Sequence, residues 1–297
     1  MPAEQPPSDQ ANSAPFDPEP RIIASRDGTP IACYSLAPVG DTPELGAQPP
    51  LLLVHGAAAD HTTWRAAGPA LARSRRAYAI DRRGRGASGD GGEAPGDLRG
   101  HYSIELEYDD VAAVAEALGD RVDVVGHSYG GRCALGASIC SAAIRRVVVY
   151  EGAPVPPGMS YRPAGMVEAV RDALARGDDA AALTTFLQGI VGLSDAAMDA
   201  YRREAVWPAR VAAAPTILRE IEAEAGPEAS IEALRRTSAP VLLLLGSVSR
   251  SPFRIGTEGL AAALPNAHVE VIEGAAHAAH HTHVDEFVAR IVEFLDS

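Results

Sequence analysis

The chain is poor in cysteine, has no surplus of positive charge and contains no long apolar run. Its three cysteines, Cys33, Cys133 and Cys140, are too few and too scattered for a disulfide framework. Cys133 and Cys140 fall inside one predicted helix and read as small buried apolar residues, not as ligands. A reducing, cytoplasmic location is the expectation. Asp and Glu number 39 against 26 Lys and Arg, a formal charge of −13, which argues against nucleic acid or an anionic membrane as partner. No apolar stretch approaches the ~18 residues of a membrane span. Residues 1–20 have neither a basic nor an apolar leader region, so no signal peptide is expected. Six prolines crowd that stretch (Pro2, Pro6, Pro7, Pro15, Pro18 and Pro20), which reads as a disordered N-terminal tail.

What remains is ordinary for a soluble globule: 46% hydrophobic and 22% charged over 297 residues, enough for one large α/β domain with an insertion. Residues 21–37 read as a hairpin around Asp27-Gly28. Leu51–Val54 is a short, continuous apolar run, as a strand buried on both faces should be, and Ala77–Ile80, Val122–Val125, Val147–Tyr150, Val241–Leu245 and Val269–Ile272 read as further strands. Helical spacing appears over about 63–73, 104–118, 129–141, 256–264 and 284–295. This alternation predicts a mostly parallel, doubly wound sheet covered by helices. Between Ala153 and Ser238 no strand pattern occurs, only alanine-rich helical spacing. The expected organisation is a tail at 1–20, a core at 21–152 and 239–297, and a helical cap at 153–238.

Ligands of such sheets bind beyond the carboxyl ends of the strands. At one of those ends stands Gly126-His127-Ser128-Tyr129-Gly130, between an apolar strand and a helix. A Gly-x-Ser-x-Gly turn in that setting presents its serine on a strained strand-to-helix turn, which makes Ser128 a candidate nucleophile. The competing reading is a glycine-rich turn with Ser128 as a helix N-cap.

A nucleophilic serine needs a base. His277 follows the last strand, at its carboxyl end. His280, His281 and His283 are rivals at the start of the next helix, where solvent-facing caps are the plainer expectation. His127 should point into the scaffold, His55 should brace the loop after its strand, and His268 lies at the wrong strand end. An oxyanion site needs backbone N–H donors. Tyr129 is the expected first donor and Ala57, in the small-residue loop His55-Gly56-Ala57-Ala58, the second.

The His55-Gly56 loop, the segment Asp81-Arg82-Arg83-Gly84-Arg85-Gly86-Ala87-Ser88, the elbow at Ser128 and the late Gly274-x-x-His277 together resemble the α/β-hydrolase fold superfamily. The resemblance runs in order over residues 21–297, apart from the cap. It implies a structural turn at Asp81–Ser88, with Asp81 not catalytic. It also implies an acid after Val241–Leu245, often as Gly-x-x-Asp. This chain carries Gly246-Ser247-Val248-Ser249 there, and Ser249 has no charge to stabilise an imidazolium, so it is expected to matter little. Glu151 ends the strand that follows the elbow helix, and sequential parallel strands are often neighbours. Certain haloalkane dehalogenases and zearalenone-type lactonases are similar in placing the acid after this strand. The expected triad is Ser128, His277 and Glu151. Asp123 lies mid-strand and is the weaker rival.

The function expected is a serine hydrolase acting on a small, apolar carboxylic ester or lactone, without cofactor or metal. A carbon–carbon bond or thioester hydrolase with the same triad is one alternative, and a non-catalytic ligand-binding protein on the same scaffold is another. His61, Trp64, Tyr161, Phe186 and Trp207 are candidates for the substrate pocket. The oligomeric state stays open, with a homodimer among the options.

Overall fold

The computed structural model describes residues 16–36, 48–91 and 102–297. Eight strands form one sheet: β1 Arg21–Ala24, β2 Pro30–Ser35, β3 Leu51–Val54, β4 Ala77–Ile80, β5 Val122–His127, β6 Ile144–Tyr150, β7 Val241–Gly246 and β8 Ala267–Ile272. Their spatial order is β1-β2-β4-β3-β5-β6-β7-β8. The β1–β2 hairpin and the β2–β4 pair are antiparallel, and every later pairing is parallel. The fold is thus the mostly parallel α/β sheet expected.

The central strands are buried on both faces, as their unbroken apolar runs require. One face packs on the helices Ile104–Leu118 and Tyr129–Cys140 through Tyr108, Val111, Cys133 and Ala137. The other packs on Val284–Asp296, whose Phe287, Ile291 and Leu295 recur at four-residue spacing along one stripe. Among the described residues, no helix is long and apolar enough to cross a membrane.

Between β6 and β7 the described elements are all helical. Met166–Ala175, Asp179–Phe186 and Ile217–Ala223 share an apolar cluster of their own, to which the core loop contributes Ala58. Ala229 and Leu234, inside the expected 153–238 insertion, instead join the main core. Two buried charge contacts fasten the insertion. Arg210 Nη1 lies 2.5 Å from Asp60 Oδ1, and Glu220 Oε1 lies 2.5 Å from Arg82 Nη2 and also pairs with Arg85.

The tail expected at 1–20 is shorter on its structured side. Phe16 is buried, bridges Leu36 and meets the His61 ring edge-on, because an aromatic side chain gains enough by packing to order its segment. Residues 1–15 lie outside the described residues.

Candidate active site

The strand order puts the chemistry in a row. Ala57 follows β3, Ser128 follows β5, Glu151 follows β6, Ser249 follows β7 and His277 follows β8, and these five strands are consecutive neighbours in the sheet. Parallel strands place all these ends on one edge.

Ser128 stands at φ 53°, ψ −126°, a conformation L-residues rarely adopt. Its N–H donates to the Tyr150 carbonyl at 2.8 Å, and its own carbonyl accepts from Gly131 N–H at 2.9 Å. The turn demands glycine on both sides. A Cβ at Gly126 would collide with the Gly130 carbonyl, and one at Gly130 with the carbonyls of Val54 and His55. Tyr129 opens the following helix, so its N–H has no intrahelical acceptor. Only three non-glycine residues among those described have positive φ, namely Ala58, Ser128 and Glu151, and each sits at a strand end on this edge.

Glu151 is buried, with its N–H on the Leu244 carbonyl at 3.1 Å. Its Oε2 lies 2.7 Å from His277 Nδ1. Its Oε1 accepts from Gly246 N–H at 2.8 Å and from Ser249 Oγ at 2.5 Å. A carboxylate accepts, so Nδ1 of His277 carries the proton and Nε2 is left with the lone pair of a base. The His277 ring stacks on Phe253, with centroids 4.2 Å apart. Its backbone is held from both sides: Nε2–H of His127 donates to the His277 carbonyl at 2.9 Å, and the Tyr150 hydroxyl donates to the Ala276 carbonyl.

Two cavities meet at the serine. The larger, about 650 Å³, is walled by Ala57, Ser128, Phe186, Leu187, Ile190 and His277, among others. The smaller, about 30 Å³, is bordered by Ser128, Glu151, Tyr161, Phe253 and Arg132. Arg132 is buried and pairs with Glu224 at 2.8 Å, while Arg162 holds the other oxygen of Glu224 at 2.7 Å.

Burial pushes the imidazoles of His127 and His280 well below their ordinary pKa, and neighbouring histidines push in the same direction. His281 falls to about 4, through burial first and then the Arg65 charge. The edge of the site is therefore lined by neutral histidines.

The structure brings together Ser128, Glu151, His277, Tyr129 and Ala57 on one strand-end row, and it puts Phe186 on the walls of both cavities. Tyr161 borders only the smaller one, with its hydroxyl on the Ala153 carbonyl. Three expected pocket residues lie elsewhere. His61 is drawn inward by Asp81, 2.8 Å from its Nδ1, and stacks on Tyr34. Trp64 is fully buried against His280 and Phe287, where its large ring packs in the core with its Nε1 unpartnered. Trp207 packs in the insertion's own cluster, edge-on to Tyr201. His280, expected to face solvent, is buried beside His127. Asp81 is structural, accepting from Tyr34, His61 and Ala87. His55 braces its loop, donating to Gly56 O and accepting from Arg82 N–H. Sequence reasoning missed Phe253, Arg132 and the contact of Ser249. Among the described residues no three His, Cys, Asp or Glu are grouped to hold a metal ion.

The alpha/beta hydrolase family model matches residues 51–290. The chain belongs to the alpha/beta hydrolase family. Solved structures share the fold. An alpha/beta hydrolase from Sphaerobacter thermophilus superposes with TM-score 0.70 at 27% identity, over 90% of this chain and 100% of that one. An esterase from Rhodococcus sp. superposes with TM-score 0.70 at 23% identity, over 94% of this chain and 99% of that one. In sequence, the chain is 36% identical over 111 residues to a 2-hydroxy-6-oxo-2,4-heptadienoate hydrolase of Pseudomonas putida, a match covering 36% of the chain. It is also 36% identical over 115 residues to a 2-hydroxymuconate semialdehyde hydrolase of Pseudomonas sp., covering 37% of the chain. The matches span 38% of the length of each of these curated relatives.

Proposed function

We propose that this protein is a serine hydrolase that cleaves a small, apolar carboxylic ester or lactone through an acyl-enzyme at Ser128. The observation that carries the reading is the 2.7 Å contact between His277 Nδ1 and Glu151 Oε2, at the wall of a cavity that Ser128 also borders. In the proposed reaction Ser128 Oγ attacks the substrate carbonyl and its proton passes to His277 Nε2. Glu151 holds the tautomer and stabilises the imidazolium. The N–H groups of Tyr129 and Ala57 take the oxyanion, each contributing about 3 kcal/mol to lowering the barrier. The leaving alkoxide collects the proton from His277. Water, deprotonated by the same nitrogen, then releases the acid and restores Ser128.

Leu183, Phe186, Leu187, Ile190 and Val191 make the large cavity mostly aliphatic, which favours an uncharged, apolar acyl or alcohol part. Hydrolysis of p-nitrophenyl butyrate, with Ser128→Ala as control and a fluorophosphonate as label, tests the reading. Turnover and labelling lost in Ser128→Ala support it, and their absence in the unaltered protein leaves a ligand-binding role in its place.

A second reading is hydrolysis of a carbon–carbon bond in a vinylogous diketone by the same three residues. Two observations favour it: the matched relatives are named for such substrates, and Arg132 and Arg162 flank the smaller cavity with one carboxylate between them. A panel pairing esters and lactones with 2-hydroxy-6-oxo-dienoates separates the two by kcat/KM.

A further inference from the structure

Ser249 stands where the Gly-x-x-Asp pattern of the family would place an acid, and in this chain it is in contact with the acid that has taken over. Its Oγ lies 2.5 Å from Glu151 Oε1, and the Gly246 N–H reaches the same oxygen at 2.8 Å. The other oxygen meets His277 at 2.7 Å. The carboxylate is thus divided, with one oxygen anchored by two donors and the other presented to the base.

That division needs an anchor. A glutamate has three rotatable bonds, and this one leaves a turn at φ 51° rather than a regular element. The segment bearing Ser249 is tied to the segment that leads to His277. Ser247 N–H donates to Ile272 O at 3.0 Å, Val248 N–H to Ala275 O at 3.0 Å, and Ser249 N–H closes the turn on Gly246 O at 3.2 Å. The hydroxyl is therefore held in register with the histidine that the carboxylate must face.

We propose that Ser249 is a positioning residue whose hydroxyl pins Oε1 of Glu151 so that Oε2 stays on His277 Nδ1. The proposal rests on the Ser128–His277–Glu151 reading. Without the hydroxyl, the carboxylate keeps one donor on Oε1 and gains freedom to swing.

Fluorophosphonate inactivation measures this without knowledge of the natural substrate. Ser128 Oγ bonds to phosphorus, fluoride departs, and the hydroxyl proton goes to His277. In Ser249→Ala the maximal inactivation rate falls about tenfold with little change in the concentration for half-maximal rate, as when the support of a reacting group is removed. Ser249→Thr, which keeps the hydroxyl at a half-buried position, recovers most of the rate. Should Ser249→Ala fail to fold, Ser249→Cys, close in size with a weak donor, takes its place.

Glu151→Gln separates the outcomes. If Glu151→Gln is unreactive while Ser249→Ala matches the unaltered protein in maximal rate, the positioning role is overturned and the acid stands. If Glu151→Gln reacts as fast as the unaltered protein, both are overturned. Equal losses in Ser249→Ala and Ser249→Thr assign the effect to packing and overturn the proposal as well.

Discussion

Glu151 and His277 lie 126 residues apart in sequence and 2.7 Å apart in space. The carboxylate reaches the imidazole from the strand next to the elbow strand, across the strand that usually supplies the acid. Glu151→Gln keeps the size of the side chain but replaces an acceptor-only carboxylate with an amide that can face Nδ1 with a donor. On p-nitrophenyl butyrate, the proposed triad predicts a kcat lower by up to about 10⁴-fold with the circular dichroism spectrum unchanged. A loss smaller than tenfold in steady-state turnover would remove Glu151 from the triad.

The strained serine has a stability signature. At φ 53°, ψ −126° a Cβ is disfavoured, and glycine relieves it. Ser128→Gly is expected to be more stable than Ser128→Ala by about 1 kcal/mol, since alanine keeps the Cβ while both lose the hydroxyl. Urea midpoints of the two inactive variants, read at equal slope, check this.

The buried imidazoles set how stability depends on pH. His55, His127 and His280 have folded-state pKa values well below the ordinary 6.5, with burial as the leading cause. Below 6.5 the unfolded chain binds protons at these positions and the folded chain does not. Stability therefore drops as pH falls through that range, by about 1 kcal/mol per pH unit for each histidine. His280→Phe, beside Trp64 and Phe287, should flatten the slope by one histidine's share in urea titrations at pH 7.5 and 5.5.

A separate acid step belongs to two carboxylates. Burial pushes Glu107 up, but the charges of Arg82 and Arg85 outweigh it and bring it to about 2. Asp60 reaches about 2 in the same way through Arg210. Both groups stabilise the fold fully above their unfolded values near 4, and that contribution is lost as pH falls towards 2. Acid unfolding followed by tryptophan fluorescence should show its steep phase in this lower window.

The insertion should come loose when one side of a clamp is removed. Glu220→Leu leaves Arg82 and Arg85 buried with Glu107 as their remaining carboxylate. A destabilisation of about 3 kcal/mol is expected, together with faster tryptic cleavage within residues 153–238. Unchanged proteolysis would show that the apolar cluster and the Arg210–Asp60 pair hold the insertion without this clamp.

The sheet was legible in the sequence because buried parallel strands are written as short unbroken apolar runs, and Leu51–Val54, Ala77–Ile80 and Val147–Tyr150 are such runs. The places of Ser128 and His277 on the strand-end edge were legible because each stands a short offset past a strand. The pocket wall was not. Whether His61 faces a cavity or turns to Asp81, and whether Trp64 meets Phe287, depends on packing between segments that no local period connects. His280 was misread for the same reason: a histidine at a helix start is ordinarily wet, and only the approach of His127 and Trp64 buries it. The bond from Ser249 to Glu151 is a meeting of two loops 98 residues apart.

Ala57, Ser128, Glu151, Ser249 and His277 all lie outside the stretch 153–238, while Phe186, Leu187 and Ile190 lie within it. The proposed reacting groups and the bulky apolar side chains of the cavity wall are thus written in separate passages of one chain. A lineage could rewrite the helical passage, residue by residue or wholesale, and each draft would be tried against the same unaltered chemistry.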